Sequence, residues 1–166
     1  VGRERGHRRG ARDHAVKVAY LVHRYGEEIH GGAELACRQL AERVAALPGW
    51  QVEVFTTCAL DPVTWADEYE PGDEVHGGVT VHRLPSPAYA SRAFRKIGFQ
   101  FLSLAAAHDA DVVINHGRLD YLEALYRLNK PILHWFHNPL TGREVPYLLG
   151  RGRTADVLVG VSRAQV

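Results

Sequence analysis

Two adjacent glycines, Gly31 and Gly32, separate an apolar run ending at His23 from a helix-like segment opening at Ala33. Glycine lets a backbone come close to a ligand. The N–H groups and dipole of a helix start attract phosphate. A tight strand-to-helix turn also wants glycine, so the pair alone leaves both readings open. Two rival phosphate chemistries fit the loop poorly. A dinucleotide site needs G-x-G-x-x-G here and an acidic residue ending the second strand. The loop lacks that spacing, and the second strand ends Phe55-Thr56-Thr57-Cys58. The G-x-x-x-x-G-K-[ST] phosphate loop is also missing.

His116 closes the run Asp111–Asn115 just before Gly117. In an open α/β sheet, ligands sit beyond the carboxyl ends of the strands, so His116 is a candidate cleft residue. Asp120 is a candidate for an acceptor hydroxyl, and Glu34 another cleft candidate. Both also fit the first turn of a helix, where the dipole alone favours a carboxylate. His23 and His30 frame the first loop, where a satisfied polar role is the plainer expectation. His134 and His137 are three apart on a strand, point to opposite faces and make a poor metal pair. Cys37 and Cys58 lack C-x-x-C spacing, so neither a disulfide framework nor a metal site is expected, and a reducing cytoplasm is the default compartment.

The elements that must hold these residues alternate. Strands are expected over Lys17–His23, Gln51–Thr57, Val79–Leu84, Asp111–Asn115, Ile132–Phe136 and Asp156–Val161. A helix from about Ala33 to Leu47 carries Ala33, Ala36, Leu40, Val44 and Leu47 on one face, and Pro48-Gly49 stops it. Further helices are expected over about Ser91–Ala107 and Leu119–Leu128, with a poorly formed one around Glu144–Leu149. Cys58 to about Gly78 reads as a polar loop. Such alternation implies parallel pairing through right-handed crossovers. The fold class is α/β, a Rossmann-like doubly wound, mostly parallel sheet of about six or seven strands.

The 166 residues are 46% hydrophobic and 23% charged, enough for one domain with its own core. No stretch approaches the roughly 18 apolar residues of a membrane span. Residues 1–14 carry a net charge of +3 while the whole chain carries +1, so the remainder is about −2. A disordered basic leader over 1–15 and a domain over 16–166 follow. The domain is not basic, so nucleic acid is not an expected partner. Residues 91–102 mix Arg92, Arg95 and Lys96 with aromatic and aliphatic residues. They could lie on an anionic membrane. The blander expectation is that Phe94, Ile97, Phe101 and Leu104 face the sheet while the cations are solvated.

The order K-V-A-Y-L-V-H, G-G-A-E-L, L-A-E-R-V, G-W-Q-V-E-V-F-T-T, G-V-T-V-H-R-L-P, A-D-V-V-I-N-H-G, K-P-I-L-H-W-F-H-N and A-D-V-L-V-G-V-S-R-A-Q resembles the N-terminal domain of family 4 glycosyltransferases. The likeness runs over about residues 16–166. It implies the N-terminal half of a GT-B fold and a retaining transfer from a nucleotide-sugar to an acceptor hydroxyl, in a cleft between two Rossmann-like domains. Gly31 and Gly32 match the loop that approaches the donor diphosphate. His137 matches the family's catalytic-site histidine after the fifth strand, and Asn138 follows it on the cleft. A histidine there can hydrogen-bond a sugar hydroxyl or a developing charge.

The resemblance also implies that most donor recognition belongs to a C-terminal domain absent from this sequence. Ser162–Gln165 fits the capping box that opens a helix, as a longer protein would require. The fragment alone is then expected to be inactive, without cofactor or metal. Its partners would be the nucleotide-sugar, a sugar, lipid or small-molecule acceptor, and the missing domain. Several relatives act on lipid-linked acceptors, so a cytoplasmic protein touching the inner membrane face through 91–102 is within its scope. A non-catalytic α/β module binding a ligand or a partner chain is the rival, because fold alone does not confer function.

Overall fold

A computed structural model of the chain describes residues 15–85, 91, 93, 95, 98–100, 104, 107–116, 125, 127–137 and 157–160. Seven strands form one sheet: β1 (Val16–Leu21), β2 (Trp50–Thr57), β3 (Gly72–His76), β4 (Val79–Leu84), β5 (Val112–His116), β6 (Ile132–Phe136) and β7 (Val157–Gly160). Their spatial order is β3-β4-β2-β1-β5-β6-β7. Every neighbouring pair is parallel except β3 with β4. The strand order reverses beside β1, which pairs with β2 on one side and β5 on the other. The carboxyl ends of β1 and β5 therefore flank the crevice where such sheets bind ligands.

The alternation of side chains along each strand builds two cores, one per face. Ala19 and Leu21 of β1 pack with Phe55, Val113 and Ile132 on one face. Val18, Tyr20 and Val22 pack with Val52, Val54, Val79 and Val81 on the other, under helix α1 (Gly32–Ala45). The central strands are apolar on both sides because both faces are covered. Small Cys37 and Ala41, four residues apart and both buried, let α1 lie close to the sheet. After Ala46 the chain meets Pro48, which cannot continue a helix, and Gly49 turns it at φ 79°.

Strands β4 and β6 coincide with the expected ranges, and β1, β2, β5 and β7 lie within one or two residues of theirs. Three expectations need correction. The loop expected over Cys58–Gly78 contains β3, whose five residues are all exposed and hydrogen-bond antiparallel to β4. Its two-residue turn, Gly77-Gly78, has φ 58° and 80°, the left-handed region that tight hairpins require. The buried face of α1 is rotated from the expected one: Glu34, Cys37 and Ala41 are buried, Leu40 and Val44 are partly so, and Leu47 is half exposed. Arg95 is not solvated. It is buried and donates from Nη1 to the Trp65 carbonyl at 2.7 Å, while Phe99 joins the core.

Within the helix expected over 91–107, residues 93, 95, 98–100 and 104 are helical, and a 3-10 turn follows at Ala107–Asp109. Phe94, Ile97, Phe101, most of the helix expected over 119–128, the one expected around 144–149 and the leader expected over 1–15, save residue 15, lie outside the described residues. No helix among the described residues is long and apolar enough to cross a membrane.

Candidate active site

The chain leaves β1 through Val22, whose N–H reaches the Phe55 carbonyl, and His23, whose carbonyl accepts from the Thr57 hydroxyl at 2.5 Å. The loop is thus fixed to the end of β2. His23 stacks on Trp65, with centroids 5.3 Å apart and planes 16° apart. Trp65 is buried and holds φ 58°, a conformation that costs a bulky residue of the order of 1–3 kcal/mol. The stack and the Arg95 bond hold it there.

Arg24 organises the loop. It donates Nη1 to the Leu60 carbonyl at 2.9 Å, Nη2 to Glu34 Oε1 at 2.6 Å and Nε to His23 Nε2 at 3.3 Å. Glu34, in the first turn of α1, is only 7% exposed. Its place is set by this buried ion pair as well as by the helix dipole. The Glu34 carboxylate in turn lies against Gly31, where a Cβ would collide with it. Gly31 is the extended N-cap of α1, so the helix starts without a side-chain cap. Gly32 differs from its neighbour: a Cβ there would meet nothing within 4 Å among the described residues. The chain's own packing explains Gly31 and leaves Gly32 unexplained.

Across the crevice, His116 ends β5 and pairs in register with Trp135 of β6. His137 follows β6. Its Nε2 lies 3.2 Å from His116 Nδ1, and the two rings are 4.5 Å apart at 34°. Trp135 stacks on His137 at 5.9 Å. Burial pushes His116 down to about 3, and charge on His137 acts the same way. Burial also lowers His137, and the Glu34 carboxylate partly opposes it. Glu34 therefore acts electrostatically on His137. At neutral pH the pair is uncharged, with one proton to share between facing nitrogens and no cost of juxtaposed imidazolium ions.

The structure thus brings Gly31, Gly32, Glu34, His116 and His137 to one end of the sheet. Asp120 and Asn138 lie outside the described residues. His30 is exposed on the loop, and His134 is buried within β6 beside Asn115, on the opposite side from His137. Among the described residues no group of three or more His, Cys, Asp or Glu is placed to hold a metal. Sequence reasoning missed Arg24 and Trp65. Trp65 had a weak signal, a large aromatic in an otherwise polar stretch. Arg24 had none, because its partner stands ten residues away.

The model of the family described as Glycosyltransferase Family 4 matches residues 30–165. Among solved structures, a sucrose-phosphate synthase from Thermosynechococcus elongatus is similar at 19% identity and a TM-score of 0.50, over 89% of this chain and 90% of that one. A Vibrio parahaemolyticus protein of unknown function is similar at 16% identity and a TM-score of 0.41, over 92% and 97%. No curated protein matches. The fold, with its reversal beside β1, is that of the Rossmann-like half of a GT-B glycosyltransferase. The chain belongs to glycosyltransferase family 4, as an N-terminal domain of that family.

Proposed function

We propose that this domain is the acceptor-side half of an enzyme that moves a hexose-like sugar from a nucleotide-sugar to an acceptor hydroxyl with retention. One observation carries the reading: the uncapped start of α1, with Gly32 open to space, and the His116–His137 pair stand at the same carboxyl end of the sheet, beside the reversal of strand order. First-turn N–H groups suit a diphosphate. A neutral histidine suits a sugar hydroxyl, since it donates or accepts without a net charge to desolvate. Gly31 and Gly32 are assigned to the donor diphosphate, His137 to the reacting sugar, and His116 to holding His137. Asp120 and Asn138 remain acceptor candidates on the resemblance alone.

Half a cleft lacks the orientation and electrostatic effects that lower the barrier, so the domain is expected to be inactive without a C-terminal partner domain. The buried free thiols Cys37 and Cys58 suit a reducing cytoplasm. No metal or organic cofactor enters the reading. The test is donor consumption by the intact protein across a panel of nucleotide-sugars, with Gly32→Val and His137→Ala beside the wild type. Consumption of one donor that both variants suppress supports the reading. Indifference to every nucleotide-sugar overturns it in favour of a non-catalytic binding module.

A further inference from the structure

Leu133 and Trp135 of β6, and His137 just beyond it, stand at intervals of two, so their side chains project from one face of the sheet. It is the face that α1 covers, since Leu133 packs against the core under that helix. Trp135 is half-buried and stands in register beside His116 of β5. Three rings therefore meet. Trp135 and His137 are nearly parallel, with planes 5° apart and centroids at 5.9 Å. His116 meets both at almost one tilt, 36° to Trp135 at 5.3 Å and 34° to His137 at 4.5 Å. Offset and tilted pairs of this kind are the arrangements that aromatic rings prefer. The indole Nε1 is closed to solvent and makes no hydrogen bond among the described residues. What Trp135 supplies is ring surface.

We propose that Trp135 is a positioning residue for His137, holding its ring in the orientation that meets His116. His137 lies one residue past the end of β6, where strand geometry no longer aims a side chain. Two rings aim it instead: Trp135 along its plane, and His116, whose Nδ1 is 3.2 Å from His137 Nε2. Tilting the imidazole breaks the parallel stack, and flipping it takes Nε2 away from His116. Orientation matters because the hydrogen bond at one imidazole nitrogen decides which nitrogen carries the proton. An indole that fixes the ring thereby fixes the tautomer. On the glycosyltransferase reading, on which this last step rests, the tautomer decides whether His137 offers a donor or an acceptor to the reacting sugar.

The indole also shields the pair from water. Burial is the main reason both histidines stay uncharged at neutral pH. Charge enters from two sides: His137 acts on His116, and the Glu34 carboxylate of α1, itself paired with Arg24, pulls His137 upward. Removing the indole admits water, which weakens the burial effect and leaves the pull of Glu34. His137 then takes up its proton at higher pH than in the wild type.

The test joins a substrate-free readout to turnover. In the isotope-labelled intact protein, the His137 ring is followed by long-range proton–nitrogen spectra as pH is lowered through the histidine range, its signals identified by their loss in His137→Ala. Wild type, Trp135→Phe and Trp135→Leu are compared, each with its unfolding midpoint. The expected result is one neutral tautomer in wild type and in Trp135→Phe, and in Trp135→Leu a mixture of tautomers that charges at higher pH. Donor consumption by Trp135→Leu should show at least about a tenfold fall in kcat with KM within about twofold of wild type, and Trp135→Phe should recover most of kcat. A single tautomer titrating as in wild type in folded Trp135→Leu overturns the positioning role. Mixed tautomers in Trp135→Phe, which keeps an aromatic ring, overturn it whether or not the leucine variant folds. If the wild type consumes no nucleotide-sugar while Trp135→Leu loses the single tautomer, the glycosyltransferase reading fails and the positioning role stands. If the wild type consumes a donor and Trp135→Leu keeps both tautomer and kcat, the positioning role fails alone.

Discussion

The two ends of the first loop solve opposite problems with similar residues. At the Gly31 end, an arginine and a glutamate are buried together, with side chains 13% and 8% exposed, and their task is to fix the backbone beside the crevice. At the Tyr25–Glu28 end, arginines and glutamates surround an open cavity, and Glu27 and Glu28 remain in water. The difference shows that charge type says little about role without burial. A buried pair holds shape, and removing one member strands the other in a low-dielectric setting. A solvated carboxylate contributes little to folding even where it has a partner, as Glu27 has in His76 and Glu28 in Tyr69.

The contrast predicts stabilities that differ widely between the two ends. Arg24→Ala should cost about 3–5 kcal/mol, because Glu34 keeps its charge in a buried place and the Leu60 carbonyl loses its donor. Glu28→Gln should change stability by less than about 0.5 kcal/mol, as at other exposed sites. Denaturant titration of both variants checks this. Comparable costs at the two positions would erase the distinction.

A sharper version lies within the glycine pair. Gly31→Ala should cost about 1–3 kcal/mol, since its Cβ displaces the Glu34 carboxylate from Arg24. Gly32→Ala should be neutral or stabilising by up to about 1 kcal/mol, since Gly32 is already helical and nothing described crowds it. The same denaturation experiment reads both. If Gly32→Ala were the more damaging, the packing account of the pair would fail.

The last expected effect is electrostatic and confined to acid pH. His116 is held near 3 in the fold against 6.5 ordinarily, so the unfolded chain binds a proton that the folded chain refuses. The stability this contributes is fully present above about pH 6.5 and is lost progressively as pH falls toward 3. His116→Asn removes the titration, so its unfolding midpoint should fall less steeply than that of the wild type across this window. Parallel pH profiles would show that His116 is not protected from protonation.

Parts of this architecture were legible because both sides of the sheet are covered. Strands β1, β5 and β6 are short apolar runs, and burial on both faces leaves them no polar alternation that could be mistaken for something else. Strand β3 was not legible, since its one apolar residue, Val75, is 74% exposed and edge position rather than burial makes it a strand. Its trace in the sequence was Gly77-Gly78, the dipeptide of a tight hairpin. The glycine loop and both crevice histidines could be placed at strand ends by counting. The Arg24–Glu34 pair and the His116–His137 contact depend on how neighbouring strands are ordered, which periodicity along one strand does not contain.

The central claim is that Gly32, unlike Gly31, is kept for a donor rather than shaped by packing. Gly32→Val tests it most directly when thermal unfolding and donor consumption are measured on the same preparation of the intact protein. The account predicts an unfolding midpoint close to wild type together with at least about a tenfold fall in consumption, because the added side chain enters the space over the first-turn N–H groups. Wild-type consumption, or a loss of consumption accompanied by a matching loss of fold, would contradict it.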